Sequence, residues 1–214
     1  MKLKAILGGT FDPVHIAHLQ IALLVQKDLG VTEVTLMPNN TPPHRQKTQE
    51  PASKRLQLLS AATFAYPCLQ VSDFEVVQQG ISYSYMTVQS MLNKDIRPVL
   101  ILGWDAFSGL NSWHESVFIT KQCHFYVIKR GGEGTFSQLK QKCTDLGLSL
   151  LDSKSSAKQL SPQHGGQVKW LDYEVPGISA SEIRNKIKIG AAWQEMVPEA
   201  VAQIIMKESM YGAK

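Results

Sequence analysis

The sequence predicts a doubly wound α/β fold, a mainly parallel sheet with helices on both faces. Short apolar, β-branched runs alternate with longer helix-patterned stretches almost from end to end. The first such run passes through Gly8-Gly9 straight into a helix start, as at the strand–helix junctions where these sheets bind ligands. Length is the third indication. A chain of 214 residues suits a single domain at about 100–200 residues each, so residues 1–214 are read as one unit.

The elements follow in order. Strands are expected at 5–7, 34–37, 69–71, 99–102, 125–128 and 168–175, where β-branched and aromatic residues cluster. Helices are expected at 14–29, 53–65, 85–92, 136–146 and 179–189, with a last one at 199–208 that follows Pro198. Residues 38–52 carry Pro42, Pro43 and Pro51 besides Pro38, and read as a long loop. Residues 152–167 are rich in Ser, Lys and Gln and read as a solvated connection. In such a fold the loops after Leu7, Met37, Leu102 and Ile128 lie at the carboxyl ends of strands, where the chemistry is expected.

Composition narrows the function classes. Hydrophobic residues at 43% and charged residues at 19% exclude a disordered tail, a fibrous repeat or a charge-rich nucleic-acid arm. The 22 Lys and Arg exceed the 18 Asp and Glu by four, which suits phosphate ligands without selecting them. Cys68, Cys123 and Cys143 are far apart, form no C-x-x-C pair and read as small hydrophobes in a reducing compartment. No run approaches 18 apolar residues and the first run is too short for a signal peptide. The expected location is the cytoplasm, with neither a membrane nor a nucleic acid as partner.

The segment Gly8-Gly9-Thr10-Phe11-Asp12-Pro13-Val14-His15-Ile16-Ala17-His18 carries the chemistry. Two glycines allow a sharp turn and close approach of backbone to a ligand. Asp12 suits the cap of a helix and Pro13 its first position. His15 and His18, three apart, then share a face near the helix start. Free N–H groups and the positive dipole end favour anions there. The loop lacks the Lys-Ser/Thr of a P-loop and the third glycine of a dinucleotide fingerprint, and no third ligand suggests a metal site.

This segment resembles the signature of the H-x-G-H nucleotidyltransferases, with Ala17 where that superfamily usually has glycine. The resemblance implies a Rossmann-like nucleotidyltransferase fold. A second element matches its Ile-Ser-x-x-x-Ile-Arg pattern: Ile178-Ser179-Ala180-Ser181-Glu182-Ile183-Arg184. Ser179 and Glu182 there form a capping-box pattern, and Arg184 falls about one turn inside. Three further segments are similar to one branch, the bacterial nicotinate mononucleotide adenylyltransferases. They are Pro38-Asn39-Asn40-Thr41-Pro42-Pro43-His44-Arg45, then Ser82-Tyr83-Ser84, then Gly103 and Asp105 through Trp113 to Lys129-Arg130-Gly131.

The resemblance implies transfer of an adenylyl group from ATP to nicotinate mononucleotide. It assigns His15, His18 and Arg184 to catalysis. It places ATP on Gly8, Gly9, Thr10, Phe11, His15, His18, Asp105, Ile178, Ser179, Ser181 and Arg184. Nicotinate mononucleotide falls to Asn39, His44, Arg45, Ser82, Tyr83, Ser84, Trp113 and Arg130. Tyr83 and Ser84 precede a helical pattern, so their N–H groups favour a carboxylate over a carboxamide. The Trp113 indole could stack on the cationic pyridinium or simply fill the core. Asp105 could hold a ribose hydroxyl, order a metal-bound water or cap a helix. His44 and Arg45 would reach phosphates from a Pro-stiffened loop. Mg²⁺ is expected on the triphosphate, held mainly by phosphate oxygens and water, with no metal ligand from the protein. The alternatives are an adenylyltransferase for nicotinamide mononucleotide or phosphopantetheine and, in a different class, a nucleotide-sensing regulator without catalysis. Oligomeric state is not encoded in any of these segments.

Overall fold

The structure, a computed structural model, describes residues 1–40, 48–78, 81–129, 134–151, 160–171 and 177–213. Among these, seven strands form one sheet: β1 (Lys2–Gly9), β2 (Val34–Pro38), β3 (Leu69–Val71), β4 (Ile96–Gly103), β5 (His124–Ile128), β6 (Ser149–Leu150) and β7 (Gln167–Leu171). Their order is β3-β2-β1-β4-β5-β7-β6, and the pairings are parallel. Ala5 of β1 sits between Val34 of β2 and Val99 of β4. From β1 the chain moves outward to β2 and β3, then returns to lay β4 on the other side of β1. The carboxyl ends of β1 and β4 therefore part around a crevice, the place where open α/β sheets take their ligands.

Alternation along the strands sends side chains to two apolar layers. Leu7, Val99, Ile101, Tyr126 and Ile128 face one layer, where they meet Ala22 and Val25 of α1 (Ile16–Leu29) and Leu58 and Leu59 of α2 (Ala52–Thr63). The same layer takes Ile183 and Ile187 of α8 (Ala180–Lys188) and Val201 and Ile205 of α9 (Glu199–Lys207). Ile6, Leu100, Phe125 and Val127 face the opposite layer. There they meet Val88 and Met91 of α4 (Ser84–Leu92), Phe107 of α5 (Trp104–Ser108), Ile119 of α6 (Ser116–Gln122) and Leu139 of α7 (Phe136–Asp145). Both faces are covered, as the strand–helix alternation predicts.

The structure departs from expectation in places. The four-residue α3 (Phe74–Val77), the five-residue α5 and the two-residue β6 are too short to show periodicity. The last predicted strand ends at Leu171 among the described residues, and 172–175 lie outside them. The polar stretch before β7 is not wholly solvated. The Ser161 carbonyl lies 2.7 Å from Nε2 of buried His124, and the Gln163 carbonyl accepts from Nη2 of buried Arg97 at 2.8 Å. Its backbone oxygens, invisible to composition, are what bind it to the core. The three cysteines are unbridged, and burial raises the Cys143 thiol to about 11 and the Cys123 thiol further still. Among the described residues no helix is long and apolar enough to cross a membrane.

Candidate active site

The glycines of the first loop do a different job from the one expected. Gly8 and Gly9 continue β1, opposite Met37 and Pro38 of β2, and the turn falls instead on Phe11, whose φ is 49°. A Cβ on Gly9 would lie 3.1 Å from the Phe11 ring, whereas one on Gly8 would have nothing within 4 Å. Gly9 makes room for Phe11, and Gly8 leaves the wall of the crevice clear. The buried Phe11 ring meets His18 edge to face, with centroids 4.8 Å apart.

Helix α1 begins at Ile16, so His15 rather than Asp12 takes the cap position, and Pro13 stays in the loop. Asp12 is engaged elsewhere: its carboxylate accepts from the backbone N–H of Gln49 (2.8 Å), that of Glu50 (3.3 Å) and the hydroxyl of Tyr211 (3.0 Å). The two imidazoles come together as the spacing predicts. They stack with centroids 3.7 Å apart and planes 23° from parallel, and His15 is 2% exposed. The His15 backbone N–H donates to Nδ1 of His18 at 3.2 Å. A ring nitrogen that accepts carries no proton, so in the neutral ring the proton rests on Nε2. The helix cap thereby sets the tautomer of His18 and makes Nε2–H its donor.

Arg184 reaches this loop from the other end of the chain. Its Nη1 donates to the Asp12 carbonyl at 2.6 Å and its Nη2 to the Ser181 hydroxyl at 3.2 Å. Nε is buried and makes no hydrogen bond among the described residues. Ser179 caps α8, its hydroxyl accepting from the Glu182 N–H at 3.1 Å. The predicted return bond from Glu182 gives way to an ion pair with Lys186 at 3.6 Å. Ile178 lies just before this cap, half-buried against the layer that holds α1 and α8.

Arg55 of α2 was not among the expected residues, yet it is 0% exposed at the back of this loop. Its guanidinium donates to the carbonyls of Thr10 (2.5 Å), Asn39 (2.8 Å), Asn40 (3.0 Å) and Glu50 (3.2 Å). Burial pulls its pKa down, while Asp12 and Tyr211 act in the opposite sense. The Tyr211 N–H donates to the Glu50 carboxylate at 3.2 Å, and burial beside Asp12 drives the Tyr211 phenol well above its ordinary range.

A cavity of about 430 Å³ opens between the carboxyl ends of β1 and β4. It gathers Gly8, Gly9, Thr10, Asn39, Ser82, Tyr83, Ser84, Asp105 and Trp113 from the expected set. Phe11, His15, His18, Ile178, Ser179, Ser181 and Arg184 do not line it. Phe11, His15 and His18 pack together at the first loop, and Arg184, bonded to Ser181, joins that loop through the Asp12 carbonyl. Tyr83 caps α4, so the N–H of cavity-lining Ser84 is among the first of the helix, which have no intrahelical acceptor. Ser82 accepts from the Asn40 N–H at 2.9 Å, and the Asn39 N–H donates to the Gly9 carbonyl at 3.0 Å. Oδ1 of Asn39 is buried without a hydrogen-bond partner among the described residues. Asp105 sits in the first turn of α5. His44, Arg45 and Arg130 lie outside the described residues.

Two cavity residues carry no clear signal in the sequence. His114 follows Trp113, and its ring lies 4.8 Å from that of Tyr83 and 5.1 Å from that of Tyr85. Glu75 faces the cavity while accepting from the Thr87 hydroxyl at 2.8 Å, and burial raises its carboxyl pKa. The site thus joins a cluster of imidazole and guanidinium donors to a roomy cavity with a helix N-terminus and a tryptophan. No hydroxyl or thiol nucleophile with its own base stands out in this set. The arrangement suits aligning two anionic phosphates better than forming a covalent enzyme intermediate.

Comparison with known proteins points the same way. The cytidylyltransferase-like family model matches residues 6–186. The chain is 34% identical over 212 residues to a Pseudomonas putida protein named "Probable nicotinate-nucleotide adenylyltransferase", covering 97% of this chain and 90% of the relative. It is also 34% identical over 215 residues to a Marinobacter nauticus protein of the same name, covering 99% and 98%. Among solved structures, the Plasmodium falciparum nicotinic acid mononucleotide adenylyltransferase complexed with NaAD aligns with a TM-score of 0.75 and 16% identity, over 100% of this chain and 99% of that one. At that identity the likeness is one of fold.

Proposed function

Because the chain belongs to the nicotinate-nucleotide adenylyltransferase family, we propose that it transfers the adenylyl group of ATP to nicotinate mononucleotide. The products are nicotinate adenine dinucleotide and pyrophosphate, a step of NAD biosynthesis. One observation carries the reading: the stacked His15 and His18 pair, tied through Asp12 to Arg184, stands beside a cavity of about 430 Å³ at the sheet's crevice.

A phosphate oxygen of the mononucleotide attacks the α-phosphorus of ATP. The new O–P bond forms as the bond to the pyrophosphate oxygen breaks, and the pair of electrons leaves with pyrophosphate. A phosphate monoester is already largely ionised near pH 7, with a second pKa of about 6, so no general base is needed. The protein's task is alignment and charge neutralisation. His18 Nε2–H donates to the α-phosphate, and His15, stacked on it, fixes the ring. The fixed guanidinium of Arg184, with Ser181, stands by the departing pyrophosphate. Backbone of Gly8, Gly9, Thr10 and Phe11 and the segment Ile178-Ser179 hold ATP, with Asp105 on a ribose hydroxyl.

On the acceptor side, the first N–H groups of α4 after Ser82 and Tyr83 take the nicotinate carboxylate at Ser84, and Trp113 stacks on the pyridinium. Asn39 offers its buried carbonyl oxygen to a ligand donor, and His44, Arg45 and Arg130 supply positive charge for the phosphate. A Mg²⁺ that arrives on ATP would be held mainly by phosphate oxygens and water. Among the described residues no group of three or more His, Cys, Asp or Glu converges into a cage of its own. When bound, the ion neutralises triphosphate charge. Residues 1–214 act as one domain, since residues 12 and 184 share the phosphate end of the site, and the location that goes with this reading is the cytoplasm.

The test is pyrophosphate release with Mg-ATP and, separately, nicotinate mononucleotide, nicotinamide mononucleotide and phosphopantetheine. Release with the first is expected. Release only with the third would overturn the substrate assignment, and release with none would favour a nucleotide sensor.

A further inference from the structure

We propose that Arg55 is a positioning residue that sets the ATP loop and the acceptor loop in register, so that one guanidinium fixes the geometry of both substrates. The inference rests on the adenylyl-transfer reading above. Arg55 does not line the cavity of about 430 Å³; it works through the backbone. Its Nη1 holds the carbonyl of Thr10, on the loop assigned to ATP. Its Nη2 holds the carbonyls of Asn39 and Asn40, at the end of β2 on the side assigned to nicotinate mononucleotide. Its Nε holds the Glu50 carbonyl, just before α2.

A guanidinium is planar, with its donors in a rigid fork. Past the last pair of the ladder, Gly9 opposite Pro38, the Asn39 N–H still donates to the Gly9 carbonyl at 3.0 Å, and the fork adds to that single bond by holding the carbonyls of Thr10, Asn39 and Asn40 together. Burying such a charge is costly unless it is matched. The four carbonyls satisfy its donors and the Asp12 charge offsets part of the cost; Asp12 is itself held by Gln49, Glu50 and Tyr211, while its carbonyl accepts from Arg184. In-line transfer is sensitive to this register, since misplacing the reacting groups by about 1 Å can cost about 10²-fold. A Lys ammonium is a point charge on a flexible stem and cannot reproduce the fork.

The test compares Arg55→Lys with Leu58→Ala, a change at a fully buried apolar position on the same helix. Both are assayed well below their unfolding temperatures. For Arg55→Lys, KM for ATP and KM for the acceptor should rise together, with kcat/KM down by about 10²-fold. Leu58→Ala should lower the melting temperature and leave both KM values unchanged. Wild-type KM values in folded Arg55→Lys, or a loss confined to melting temperature, would overturn the proposal.

Should Arg55→Lys fail to fold, the unaltered chain decides the matter. Its Arg55 side-chain N–H resonances are followed by NMR with α,β-methylene ATP alone and with nicotinate mononucleotide alone. Each ligand alone should shift them, because each bears on a carbonyl that Arg55 holds. A response to one ligand or to neither would overturn the proposal. A wild-type chain that binds neither ligand would instead overturn the functional reading on which it rests.

Discussion

Replacing Tyr211 with Phe removes one oxygen and leaves the ring in place, so its cost can be worked from a single bond. The Tyr211 hydroxyl donates to the Asp12 carboxylate at 3.0 Å, and Tyr211 is 7% exposed. Asp12 keeps its bonds from the Gln49 and Glu50 N–H groups, so the carboxylate is not orphaned. The loss is that of one hydrogen bond to a charged group, about 1.5–3 kcal/mol. At roughly 2–4 °C per kcal/mol for a chain of this size, Tm should drop by roughly 3–12 °C at pH 7. The pH dependence gives a second check. Folding raises the Tyr211 pKa above its unfolded value of 10.0, so its stabilising contribution is complete below pH 10 and is lost as pH rises beyond it. Above pH 10 the wild type should lose about 1.4 kcal/mol per pH unit through this group, and the Phe variant should not. Tyr126 behaves alike in both proteins. Thermal unfolding followed by circular dichroism from pH 7 to 11 should show a gap that narrows above pH 10. Equal Tm at pH 7, or a gap that stays constant to pH 11, would refute the reasoning.

Three further outcomes are expected. His18→Ala removes the Nε2–H donor and should lower kcat by about 10²-fold or more; near-normal turnover in the pyrophosphate assay would remove His18 from the transition state. Trp113→Ala should raise KM for nicotinate mononucleotide roughly tenfold, the effect of losing one stacking face, with KM for ATP unchanged; an equal rise for both substrates would place the indole elsewhere. His124 is 0% exposed and burial lowers its pKa, so its contribution is present above its unfolded value of 6.5 and is lost as pH falls through the folded one. Tm of the wild type should therefore decline below pH 6.5 more steeply than that of His124→Gln, and parallel curves from pH 5 to 8 would contradict this.

What the sequence made legible is what depends on neighbours along the chain. The apolar runs of β1, β2, β4 and β5 announce buried parallel strands because nearly every side chain in them faces one of two covered layers. His15 and His18 stack because the cap residue and the third residue of α1, three positions apart, meet at the helix start. What stayed hidden depends on partners far away. Arg55 drew no notice in the sequence, because its acceptors are carbonyls that carry no residue identity. Asp12 bears a strong capping signal that loses to Tyr211, 199 positions away. The glycine pair suggests a turn, but a Phe makes it. His114 and Glu75 join the cavity only because α4 brings Tyr83, Tyr85 and Thr87 against them.

The bond between Asp12 and Tyr211 also bears on how the protein is made. Synthesis runs from the first loop to the last turn, and at about 5–20 residues per second the 199 positions between them take about 10–40 s to add. Throughout that interval the nascent chain carries a carboxylate whose phenol partner does not yet exist. Arg184, which holds the neighbouring carbonyl, comes late as well. The sheet can begin to pair early, but the phosphate end cannot close until the last helices emerge. A ribosome-bound fragment of the chain would be folded in part and silent in the assay.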